Sequence, residues 1–108
     1  FMKRNDKLLL YSDDNPGSKR EIMFSIEKGL IRMEKADFGS LVEEFYGDYD
    51  YEWIISDLPA KVLRKAMKVR TNTALIEKMK TEYNTSDAWE RFSAFCYDNK
   101  LKYNIFIG

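Results

Sequence analysis

One stretch constrains this chain more than any other: residue types alternate from Tyr49 to Ser56, and Pro59 follows. Tyr49, Tyr51, Trp53 and Ile55 fall on one side of an extended chain, with Asp50, Glu52 and Ser56 on the other, because successive strand side chains point to opposite faces. The aromatic and β-branched side suits a core and the acidic side suits water, so the pattern predicts a half-buried strand. Pro59 suits a first helical turn, where its fixed φ is helical and its missing N–H costs no bond. A strand running straight into a helix is the expected pivot of the fold.

The remaining segments arrange themselves around that pivot. Lys7 to Ser12 reads as a first strand, stopped by a hairpin loop over Asp13 to Ser18, where Pro16 and Gly17 favour a turn. Glu21 to Glu27 and Leu30 to Glu34 read as second and third strands joined tightly through Lys28-Gly29. In the third, Leu30, Arg32 and Glu34 alternate with Ile31 and Met33, giving one apolar and one wet face. Ser40 to Tyr46 reads as a short helix with Ser40 and Glu43 at capping-box spacing, a strand being the alternative. Beyond Pro59, Val62, Leu63, Ala66, Met67 and Val69 recur at helical spacing. Asn72 or Thr73 can cap a second helix that turns Leu75, Ile76 and Met79 inwards. Ser86 can cap a third, with Ala88, Trp89, Phe92, Phe95 and Cys96 as its apolar side, and Leu101 to Ile107 reads as a closing strand. The expectation is an α+β fold: an antiparallel or mixed sheet of about five strands with about three helices packed on one face. Trp53, Trp89, Phe92 and Phe95 are the expected sheet–helix core.

A chain of 108 residues fits one domain. Phe1 ahead of Met2 reads as an added residue, so the domain is taken as 2–108. No apolar run approaches a membrane span and no secretory pattern is visible, which points to a cytoplasmic protein. The lone Cys96 cannot form an internal disulfide. A formal net charge of zero argues against nucleic acid held by a general positive field. The charges are nonetheless segregated: residues 37–58 hold seven acids and no base, and residues 59–82 hold seven bases against two acids. Such segregation can steer a charged partner, although solvated faces also produce it.

The chain offers little for catalysis. It has no histidine, which removes the commonest general base and metal ligand and leaves Cys96 without the usual activating partner. No Gly-rich phosphate loop is present. On a strand Asp48, Asp50 and Glu52 would stand roughly 7 Å apart, a separation compatible with two-carboxylate hydrolysis or with a cation, yet any acidic strand face would show it. No enzyme, cofactor, metal or small-molecule substrate is therefore expected. A binding surface is the better use of an acidic strip beside tyrosines, since tyrosine gives large contact area at low entropic cost.

Phe45-Tyr-Gly-Asp-Tyr-Asp-Tyr-Glu52, Asp57-Leu-Pro-Ala-Lys-Val-Leu63, Trp89-Glu-Arg-Phe-Ser-Ala-Phe95 and Lys102-Tyr-Asn-Ile-Phe106 follow one another in an ordered pattern. It resembles the small bacterial immunity proteins of contact-dependent growth inhibition and other polymorphic toxin systems, over roughly residues 40 to 107. The resemblance implies a cytoplasmic inhibitor that binds a cognate toxin domain, often a nuclease with a basic cleft, and blocks it by protein–protein contact. By that carry-over Asp48, Asp50 and Glu52 hold the acidic positions, and Glu43, Glu44 and Tyr46 extend the expected partner-binding strip. The alternative is a small regulatory or nucleic-acid-associated module using the basic helix block 61–80.

Overall fold

The computed structural model describes residues 7–15, 18–38 and 51–108. Within them the chain forms strands β1 (Leu8–Asn15), β2 (Ser18–Glu27), β3 (Leu30–Phe38) and β4 (Tyr51–Pro59), then helices α1 (Ala60–Met67), α2 (Asn72–Glu82) and α3 (Ala88–Asp98), and finally β5 (Asn104–Ile107). The strands lie in sequence order, β1-β2-β3-β4-β5, and every neighbouring pair is antiparallel. The fold is thus α+β with an antiparallel sheet rather than a mixed one. The three described helices fall within the excursion from β4 to β5.

The early strands run further than their apolar cores suggest. Asp13 pairs with Arg20 and Asn15 with Ser18, so most of the expected hairpin loop is ladder, and only Pro16 and Gly17, outside the described residues, separate the strands. β3 continues past Glu34 to Phe38 against Lys19. Lys28 and Gly29 both have positive φ, 54° and 77°, the type I′ geometry whose twist matches a two-residue hairpin. The helix or strand expected over Ser40 to Tyr46 lies outside the described residues.

The pivot is present, with one irregularity. Met33 pairs with Ile55 and Ile31 with Leu58, so β4 carries one residue more than β3 at this point. Asp57 takes the strain at φ 60°. The bulge turns strict alternation into a three-residue step and lets both Ile55 and Leu58 point into the core, each fully buried. Pro59 is the N-cap of α1 and has no side chain to satisfy the helix's first amides; the Ala60 N–H instead donates to the Gly29 carbonyl at 2.8 Å. The β2–β3 turn therefore completes the start of α1.

Two expected caps shift by one residue. Thr71, not Asn72 or Thr73, caps α2, its hydroxyl accepting from the Ala74 N–H at 3.0 Å. Asp87 rather than Ser86 stands at the start of α3, and its carboxylate is engaged by the Thr85 hydroxyl and by Arg91.

One cluster of apolar side chains lies between the helices and one face of the sheet: Leu10, Ile22, Phe24, Ile31, Met33, Ile55 and Leu58 meet Leu63, Leu75, Met79, Trp89, Phe92 and Cys96. Phe92 is fully buried at its centre, edge-on to Phe24 at 6.4 Å and to Tyr83 at 5.7 Å. Burial of a side chain this size contributes about 1.5–3 kcal/mol. The indole of Trp89 donates to the Met33 carbonyl at 3.1 Å, and Trp53 and Phe95 pack on the margin.

Candidate protein-binding surface

Because the helices cover one face, the alternate residues of each strand define the other. The register aligns a row across all five strands: Leu9, Met23, Glu34, Ile54 and Phe106. Ile54 is buried yet stands apart from the core cluster, as expected on the opposite face. Leu9 and Phe106, at the two ends, are 50% and 56% exposed.

Glu52 lies in the next row, opposite Ala36, and its backbone exchanges both hydrogen bonds with Gly108, at 2.9 and 3.0 Å. Its exposed side chain borders a shallow hollow shared with Lys7, Glu21, Met23, Glu34, Ala36 and Phe38. Glu43, Glu44, Tyr46, Asp48 and Asp50 lie outside the described residues. Tyr51 belongs to the covered side, its ring stacked on Trp53 with centroids 6.0 Å apart.

The face opposite the described helices mixes charges. Glu34 accepts from Arg32 at 2.6 Å and pairs with Lys7 at 3.1 Å. Burial works to raise its carboxyl, but the hydrogen bonds and charges of Arg32 and Lys7 prevail and hold it below the ordinary carboxylate value. Lys19 pairs with Glu21 at 3.5 Å and lies over the Phe38 ring. Of the three described acids in residues 37–58, two have specific partners. Asp37 takes a two-pronged contact from Arg20 at 2.6 and 2.7 Å, while Asp57 accepts from Asn104 at 2.6 Å. Arg20 also donates to the Ser86 carbonyl at 3.1 Å, tying β2 and β3 to the approach of α3.

Among the described residues, no group of three or more histidines, cysteines, aspartates or glutamates is placed to hold a metal ion. Cys96 is fully buried, and burial pushes its thiol up to about 12, the environment of an inert core cysteine.

Two features escaped the pattern reading. Lys35 is buried, 5% exposed, with its amine 4.1 Å from the Trp53 ring centre, 5.8 Å from that of Trp89, and hydrogen-bonded to Glu90. Extending the alternation of Ile31 and Met33 by one step would have placed it on the covered face. The second is the edge position of β5, all four residues of which are exposed; the closing strand itself was expected, over Leu101 to Ile107, and only the strand order reveals it as an edge. Comparison of the chain with family models, with curated proteins and with solved structures finds no match.

Proposed function

We propose that this chain is an immunity protein that binds a cognate toxin domain, of the nuclease kind with a basic cleft, and neutralises it by protein–protein contact. The observation that supports this reading is the sheet face opposite the three described helices. It carries Glu52 and, in a row across the strands, Leu9, Met23 and Phe106, and a broad face of apolar and charged side chains is better suited to another protein than to a small molecule. The strip of Glu43, Glu44, Tyr46, Asp48 and Asp50 leads in sequence directly to Glu52 and adds acids that would complement a basic cleft. The ordered resemblance over residues 40 to 107 supplies the toxin-inhibitor part of the reading.

The test is co-expression, in a sensitive bacterium, with the toxin domain encoded beside this gene. Survival together with a stable one-to-one complex is the expected result. Death of the cells while this protein is folded and the toxin active would remove the pairing. A second reading, the nucleic-acid-associated module, draws on Lys61, Lys65, Lys68 and Arg70, which are exposed and in no ion pair among the described residues. It requires measurable DNA or RNA binding at low salt that falls when these four residues are neutralised.

A further inference from the structure

The outer edge of β5 is built in a way that fits its own copy. Gly108 and Glu52 exchange both backbone hydrogen bonds, so by alternation the bonded pairs that follow are Phe106 with Ile54 and Asn104 with Ser56. The N–H and C=O groups of Ile105 and Ile107 therefore point away from β4. Among the described strands β5 pairs with β4 alone. The strand Asn104–Ile107 contains no charge and no proline, the devices that usually blunt a sheet edge. The opposite edge differs: β1 carries a bulge between Leu9 and Tyr11, followed by Asp13 and Asp14.

The sequence Ile105-Phe106-Ile107 reads the same in both directions. Antiparallel pairing with a second copy about a two-fold axis at Phe106 sets Ile105 opposite Ile107 of the other copy. These are the residues whose backbone groups point outward, so all four hydrogen bonds are met. Phe106 then faces its equivalent in a non-hydrogen-bonded pair, where Cα atoms come within about 4.5 Å and side chains are closest. Asn104 falls opposite Gly108, and no like charges meet. Phe106 and the two isoleucines, 56%, 48% and 61% exposed, gain apolar contact on the two faces of the joined sheet.

We propose that two copies of this chain associate through antiparallel β5–β5 pairing centred on Phe106, giving one continuous ten-stranded sheet. Such a contact is self-complementary, as a two-fold interface must be. It is also small beside the roughly 1,200–2,000 Å² of a standard interface, so the dimer forms and dissociates with concentration.

Sedimentation equilibrium of the unmodified chain from micromolar to millimolar concentration tests it. The expected mass rises from 12.8 kDa toward twice that value, and Ile105→Pro, which removes an outward N–H without touching the β4 ladder, returns it to 12.8 kDa. Under mild oxidation Phe106→Cys should form a linked dimer, and Ile105→Cys should not, because its own equivalent lies two residues away along the partner strand. The Ile105 and Ile107 amides should gain hydrogen-exchange protection with concentration, whereas that of Phe106 is protected throughout. A constant monomer mass at millimolar concentration overturns the proposal, as does equal cross-linking of the two cysteine variants. Protection of these amides only when a different protein is added overturns it too and assigns the edge to a foreign strand.

Discussion

Lys35 shows how one residue can be both costly and well provided for. Its stem and amine lie between two indole rings, and its counter-charge Glu90 stands at the boundary with water, its side chain 50% exposed. Removing the partner strands an ammonium in a desolvated site, whereas removing the ammonium leaves a carboxylate that water can solvate. Glu90→Ala is therefore expected to destabilise the fold by about 1–3 kcal/mol, and Lys35→Met, which keeps the stem, to be close to neutral; urea unfolding of the two variants measures both. Glu34 makes a pH-dependent contribution. Its folded carboxyl titrates below the ordinary value of 4.5, so its share of stability is present above that pH and is lost as pH falls through the folded value. The stability gap between the native chain and Glu34→Gln should be widest above pH 4.5 and should close on acidification. A gap that stays constant to low pH would mean that the ion pairs with Arg32 and Lys7 contribute nothing.

At the level of elements, the β2–β3 turn has two duties, since Gly29 supplies a left-handed residue and its carbonyl receives the first amide of α1. A Cβ at Gly29 would meet no atom within 4 Å, so the cost of Gly29→Ala is purely conformational, about 1–2 kcal/mol at a positive φ. Lys28→Asn should move the other way by about 0.5–1 kcal/mol, because asparagine accepts the left-handed conformation more readily. Thermal unfolding of both variants checks the pair. The tight turn at Lys28-Gly29 was legible because turn chemistry is local, and so were the strand cores and the apolar sides of the helices, which follow from period. What was not legible depends on partners. Asp13 continues β1 because Arg20 lies across from it, and Asp57 bulges because both Ile55 and Leu58 must reach the core. β5 is an edge because, among the described strands, β4 alone pairs with it. Of the expected partner-binding residues only Glu52 can be placed, on the wet side where alternation put it.

For the molecule as a whole, zero net charge conceals an uneven distribution that bears on how fast it meets a partner. If the acids of residues 43–52 steer a basic toxin, changing Asp48, Asp50 and Glu52 together to Asn or Gln should slow association by about tenfold at low salt. The slowing should shrink as salt is added, with dissociation changed far less. Stopped-flow mixing at several ionic strengths measures this, and unchanged association rates would make the strip an ordinary solvated surface. The placement of the three described helices between β4 and β5 has a further consequence for a chain made from its N-terminus. β2 to β4 each join a strand already synthesised, so four strands can assemble as the chain lengthens. β5 must wait for 44 intervening residues, and until it docks, the inner edge bearing Glu52, Ile54 and Ser56 is open to any other strand. A ribosome paused within α3 would thus hold four paired strands with the β4 edge unguarded, which makes the interval before β5 emerges the one in which this sheet is most open to a wrong strand.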